Sequence, residues 1–114
     1  MISREKRVIM FNETIGEMLQ ELSNLFVNNG TLKMANTTYN MLVSDESELM
    51  FNVLQSKLTD SIRKDIQMRN EETLLNYKFE TAIGKTIKEL WTSMNQENKE
   101  VMWQYFNLIS KICI

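Results

Sequence analysis

The 114-residue sequence contains no histidine, no proline, only three glycines and a single cysteine. The absence of histidine removes the commonest general base near neutral pH and the usual nitrogen ligand of zinc and other transition metals. The lone Cys113 cannot form a disulfide within the chain and so gives no indication of an oxidising compartment. The sequence therefore favours a non-enzymatic protein without a cofactor, and we predict no catalytic, cofactor-binding or metal-binding residue.

The charge of the chain is nearly balanced, with 13 basic and 15 acidic residues and a formal net charge of −2. This value is too small to indicate a polyanionic or polycationic partner. The first helical segment is interrupted by Asn12, Glu13, Glu17 and Glu21, so it matches neither a secretory leader nor a transmembrane span. We therefore expect an intracellular protein that is not secreted.

The pattern of apolar residues indicates an all-α fold, a compact single-domain bundle of about five helices over residues 1–114. The clearest helix covers residues 3–27, where apolar positions alternate at three- and four-residue spacing. The further helices are expected over residues 31–43, over 49–68 with a kink near Thr59, over 70–84, over 85–92 and from about residue 93 to the end. We expect the long first helix and the aromatic last helix to pack together at the centre.

The three glycines carry structural predictions. Gly30 follows two asparagines and indicates a left-handed stop at the end of the first helix, whereas Gly16 lies inside that helix and indicates close approach of another backbone. The third glycine belongs to an Ala82-Ile-Gly-Lys-Thr86 segment that partly matches a phosphate-binding loop. Because Phe79 stands where that motif requires a glycine, we interpret Gly84 as a helix cap instead.

Basic residues are concentrated in two places, at the N-terminus and in the middle of the chain. The N-terminal group is Arg4, Lys6 and Arg7, which we predict as a possible polyanion contact. The middle group alternates with Asp60 and Asp65, as in a solvated helix face, and it comprises Lys57, Arg63, Lys64 and Arg69. A nucleic-acid-associated accessory protein is the alternative function, although nucleic acid is not favoured. This alternative function requires the two groups of basic residues to converge on one face of the protein.

An apolar and aromatic cluster near the C-terminus is the predicted partner-binding surface. Its residues are Trp91, Trp103, Tyr105, Phe106 and Ile112. Large aromatic side chains dominate both protein cores and interface hot spots, so the sequence leaves the two roles open. We expect at least one of the two tryptophans to lie in the core.

The segment Ile87-Lys-Glu-Leu-Trp91, followed by a polar break and by Glu97-Asn-Lys-Glu-Val-Met-Trp103-Gln-Tyr105-Phe106-Asn-Leu108, resembles the ending of a group of viral proteins. These are short all-helical proteins encoded by nucleocytoplasmic large DNA viruses of algae and protists. Their last helix has a Lys-x-x-Ile-Trp-Lys-Tyr-Leu-like core, in which Trp103 and Tyr105 match directly. Gln104 replaces the usual lysine and Phe106 the usual leucine.

The resemblance implies a viral source and an all-α fold, and it carries no active site. We therefore expect a non-enzymatic protein–protein interaction module or a virion-associated structural protein. Its partner would be a viral or host protein or a second copy of the chain. Its location would be the cytoplasm or nucleus of the infected cell, or the virion.

Overall fold

A computed structural model describes residues 2–78 and 82–114, apart from the side chain of Ala82. Within these residues the chain forms seven α-helices and no strand. They are α1 (Arg4–Leu25), α2 (Gly30–Asp45), α3 (Leu49–Lys57), α4 (Asp60–Gln67), α5 (Glu71–Asn76), α6 (Ala82–Trp91) and α7 (Gln96–Ile112). The predicted all-α class is confirmed, whereas the predicted number of about five helices is wrong.

The six helical ranges predicted above become seven helices because the range 49–68 contains two of them. α3 ends at Lys57, and Thr59 adopts an extended conformation in which its hydroxyl accepts a hydrogen bond from the Ile62 amide at 3.2 Å. A threonine in this position satisfies one of the amides that a new helix leaves without a partner. The predicted kink near Thr59 is therefore a complete break.

Both turn predictions for glycine are also wrong. α1 ends at Leu25, and the Asn29 side chain caps α2 by accepting from the Leu32 amide at 2.9 Å, so that Gly30 is the first residue of that helix. None of the described glycines has a positive φ. Gly84 lies inside α6 and caps no helix. The Asn29 cap places Gly30 at the start of α2, and Gly84 lies within α6. Neither glycine therefore forms a left-handed stop.

The one non-glycine residue with positive φ in the described chain is Arg69, at 55°. It follows α4 in a Schellman arrangement. The backbone N–H of Asn70 donates to the Asp65 carbonyl at 2.9 Å, and the backbone N–H of Arg69 donates to the Ile66 carbonyl at 3.1 Å. The Arg69 side chain donates to both carboxylate oxygens of Glu100, at 2.7 and 2.6 Å. The end of α4 is therefore attached to α7 by a bidentate ion pair.

The core lies between α1 and α7, which pack against each other as predicted. α2 packs against α1 and α6, and α4 packs against α7. The periodic positions of α1 are buried, with Phe11 and Leu22 fully inaccessible, while Leu25 at the helix end is 40% exposed. Each side chain buried in this way contributes about 1.5–3 kcal/mol of transfer free energy. None of the helices in the described part of the chain has the length and apolarity to cross a membrane.

The expected close approach at Gly16 is wrong. A Cβ atom added there would meet no atom of a neighbouring element within 4 Å. Gly16 therefore lowers the helix propensity of α1, and no packing contact requires a glycine at this position.

Candidate functional site

Three aromatic rings from the end of α6 and the middle of α7 form one cluster. Trp91 meets Trp103 edge to face at 5.1 Å between ring centroids and stacks on Phe106 at 6.1 Å, and Trp103 meets Phe106 edge to face at 5.6 Å. Trp91 and Trp103 are only 1% and 5% exposed. Both tryptophans are therefore core residues.

The indole N–H of Trp91 is satisfied from α5. It donates to Glu71 Oε1 at 3.0 Å, and Lys99 Nζ lies 2.9 Å from the same oxygen and 5.7 Å from the centroid of the Trp91 ring. The hydrogen bonds from Lys99 and from Trp91 lower the pKa of Glu71. One exposed carboxylate thus connects α5 to α6 and α7.

The other predicted partner-binding residues are placed differently. Ile112 is buried in the core, while Tyr105 and Phe106 are half-buried. Burial, with smaller contributions from the charges of Glu21 and Glu17, raises the pKa of Tyr105. The five residues therefore do not form one exposed face, because Trp91, Trp103 and Ile112 are buried.

Trp103 and Phe106 do face a cavity of about 190 Å³ between the helices. We call it the central cavity. Ile15 and Met18 of α1 and Ile109 of α7 line it together with the two aromatic rings. These side chains form an apolar floor built from the two central helices.

The opposite side of the central cavity is formed by α3 together with α4 and α5. Leu54, Ile62, Ile66 and Leu74 contribute its apolar surface. No described side chain of α4 or α5 is fully buried. These two helices, which we call the outer wall, cover the cavity with half-buried apolar side chains.

The lining of the central cavity also includes the polar residues Lys57, Asp65, Asn70 and Thr73. The Thr73 hydroxyl donates to Asp65 Oδ2 at 3.1 Å, and the side-chain amide of Asn70 donates to Asp65 Oδ1 at 3.4 Å. The carboxylate of Asp65 therefore has hydrogen-bond partners on the outer wall itself. The cavity combines an apolar interior with a small polar group of side chains.

Arg63, a basic residue of the middle group, contributes to the attachment of the outer wall. Arg63 donates from Nε to the Leu58 carbonyl at 3.2 Å and from Nη2 to the Cys113 carbonyl at 3.2 Å. Its Nη1 donates to the Ser110 hydroxyl at 3.1 Å and to the Ser110 carbonyl. Arg63 is thus directed inward to α7 instead of outward to a polyanion.

Two of the three N-terminal basic residues, Arg4 and Arg7, make contacts within the fold. The Arg4 side chain donates to Asn52 and lies 5.1 Å from the centroid of the Phe51 ring, and Arg7 donates to the Ile114 carbonyl at 2.6 Å. Lys6 is exposed. Both arginines therefore attach α1 to other parts of the fold.

Within residues 2–78 and 82–114, no three or more cysteine and acidic side chains are grouped closely enough to hold a metal ion. Cys113 is completely buried, and this burial raises the pKa of its thiol to about 11. The thiol therefore stays protonated near neutral pH, which suppresses its nucleophilicity.

The central cavity was not predicted from the sequence, because its lining comes from six helices spread over most of the chain. The one local signal is the pair Ile62 and Ile66, which are spaced by one helical turn in an otherwise polar helix. That spacing predicts an apolar face but does not show that the face meets a cavity.

Comparison of the chain with protein-family models, with curated proteins and with solved structures gave no match. The resemblance of residues 87–108 to proteins of large DNA viruses therefore stays a prediction.

Proposed function

We propose that this chain is a non-enzymatic protein–protein interaction module of a large DNA virus, and that a partner protein inserts one apolar side chain into the central cavity. The viral source rests on the resemblance of residues 87–108. The observation that carries the binding mode is the cavity itself, in which Trp103 and Phe106, two of the predicted partner-binding residues, form part of an apolar floor.

The size of the cavity favours a side chain over a complete small-molecule ligand. Pockets for drug-sized ligands usually have volumes of about 300–1,000 Å³, whereas a cavity of about 150 Å³ is sufficient for benzene. The central cavity, at about 190 Å³, has the capacity for one large apolar group. The rest of such a partner would lie outside the cavity.

The arrangement of the lining is also typical of a hot spot in a protein interface. Hot-spot residues insert into desolvated pockets, and polar groups around them contribute more to complementarity than to affinity. Here apolar side chains from six helices surround the cavity, and Asp65, Asn70 and Thr73 form a polar group in its lining. Burial of one large apolar side chain in such a pocket contributes about 1.5–3 kcal/mol.

The proposal can be tested by selecting binders from a random peptide library displayed on phage. Three forms of the full chain are used as bait: wild type, Ile66→Trp, which adds a ring to the cavity lining, and Ile9→Trp on the outside of α1. Ile9 is 56% exposed, so its substitution is the matched control. We expect enriched peptides to share one large apolar residue and to bind wild type and Ile9→Trp but not Ile66→Trp.

Circular dichroism and urea unfolding establish that each bait is folded. Peptides that bind all three forms equally would place the interaction elsewhere and overturn the proposal, and so would a selection that enriches no peptide. If Ile66→Trp does not fold, Val53→Phe replaces it, because Val53 lines the cavity from α3.

A further inference from the structure

We propose that the central cavity selects a single aromatic ring, so that the anchor of the partner is a phenylalanine-like side chain. This inference rests on the proposed function and specifies the chemical class of the group that enters. The chemistry of the floor distinguishes an aromatic ring from an aliphatic group of the same size.

The first argument is the geometry of the aromatic cluster. Trp103 and Phe106 line the cavity and meet each other edge to face, with an interplanar angle of 89°. Because the two rings are perpendicular, a third ring that lies parallel to one of them is perpendicular to the other. An incoming ring that contacts both residues can therefore adopt an edge-to-face or offset-stacked arrangement with at least one of them, which aromatic pairs prefer.

The second argument is the presence of two methionines in the lining, Met18 on α1 and Met50 on α3. Thioether sulfur atoms make favourable contacts with aromatic rings, and the flexible methionine side chain adapts to the flat shape of a ring. An aliphatic group gains dispersion contacts from the same side chains but lacks the electrostatic attraction between rings. These effects together correspond to at least about a fivefold preference for the aromatic group.

The third argument is the match in volume. A cavity of about 150 Å³ lined by aliphatic and aromatic side chains binds benzene. The central cavity, at about 190 Å³, exceeds that size by roughly the volume of one or two methyl groups. A single ring carrying one methylene linker, as in phenylalanine, therefore fits the volume of the central cavity.

The test uses toluene and methylcyclohexane, which have the same carbon skeleton but differ in aromaticity. The full chain is labelled with ¹³C in the methyl groups of isoleucine and methionine and titrated with each compound by NMR. Ile15, Met18 and Ile109 report on the floor of the cavity, and Met34, which is 72% exposed, is the matched control.

We expect toluene to cause saturable ring-current shifts at the floor methyl groups, with an affinity at least about fivefold higher than that of methylcyclohexane. The shifts should disappear in Ile66→Trp and persist in Ile9→Trp. Equal or tighter binding of methylcyclohexane would overturn the ring preference. Toluene shifts that are absent, or that are as large at Met34 as at the floor, would also overturn it.

The outcomes separate this inference from the proposed function. If displayed peptides enter the cavity with leucine or isoleucine anchors, the interaction function stands and the aromatic preference is wrong. If toluene binds selectively in the cavity and no peptide depends on Ile66, the ring preference stands and the proposed protein partner is wrong.

Discussion

Arg63 on α4 binds Ser110 on α7 twice, through the hydroxyl at 3.1 Å and through the backbone carbonyl. The same guanidinium donates to the Cys113 carbonyl at 3.2 Å. The last carbonyls of a helix lack intrahelical partners and form the negative end of its dipole. Arg63 therefore caps α7 from a neighbouring helix and holds the outer wall of the central cavity in place.

Replacement of Arg63 by lysine should destabilise the fold by about 2–3 kcal/mol, since a lysine cannot reproduce the planar set of donors and leaves part-buried carbonyls without partners. Urea unfolding monitored by tryptophan fluorescence measures the loss. Lys64→Ala, at the exposed next position of the same helix, is the control and should change stability by less than about 0.5 kcal/mol. An unchanged unfolding free energy in Arg63→Lys would show that the cap contributes nothing.

Replacement of Gly16 by alanine should stabilise the protein by about 0.5–1 kcal/mol, because alanine restricts the unfolded chain and favours helix. The structure has room for the added methyl group, with no neighbouring atom within 4 Å of the new Cβ. Thermal unfolding followed by circular dichroism should show an increase in Tm. A decrease would mean that another segment does approach Gly16 closely, as the sequence alone suggested.

Acid should weaken the fold partly through Glu71 and Glu100. Hydrogen bonds from Lys99 and Trp91 lower the pKa of Glu71 below its ordinary value of 4.5, and the hydrogen bond from Arg69 lowers that of Glu100. A carboxyl group with a lowered pKa in the folded state contributes stability that is complete above its unfolded pKa. This contribution is lost as the pH falls through the folded pKa.

The stability of wild type should therefore fall between about pH 5 and pH 3 more steeply than that of the double variant Glu71→Gln with Glu100→Gln. Both carboxylates are exposed, so the difference in slope should be modest. Urea midpoints measured across this range test the prediction. Parallel pH profiles for the two proteins would contradict it.

The thiol of Cys113 should react slowly in the folded protein. Its pKa of about 11 and its complete burial leave little accessible thiolate at pH 8, whereas an unfolded cysteine has a pKa of about 8.5. We expect the rate of reaction with a disulfide reagent to be at least about a hundredfold lower in buffer than in concentrated urea. Similar rates in the two conditions would show that the end of α7 opens readily.

The course of the two central helices was predictable because it depends on local periodicity. Phe11, Ile15 and Leu22 repeat at helical spacing and are buried. In α7 the apolar residues Met102, Trp103, Ile109 and Ile112 lie in the core as expected. The positions of helix ends were less predictable. Thr59 is compatible with either a kink or a cap, and Gly84 with either a stop or a helix interior, because each residue type allows both conformations.

The roles of the aromatic and basic residues required the tertiary structure. Trp91 and Trp103 satisfy the sequence pattern of a hot spot and of a core equally well, and only their placement between α6 and α7 shows that they are buried. Arg63 has the sequence context of a solvated helix face, yet α4 lies across the end of α7 and directs its guanidinium inward.

By itself the sequence determined that the chain is helical and which faces of its longest helices are apolar, because propensity and periodicity are properties of neighbouring residues. Only the tertiary structure decided that side chains from six helices line the central cavity and that Trp103 and Phe106 are among them. The physical reason is that a cavity depends on the distances between elements far apart in the chain, which local patterns do not specify.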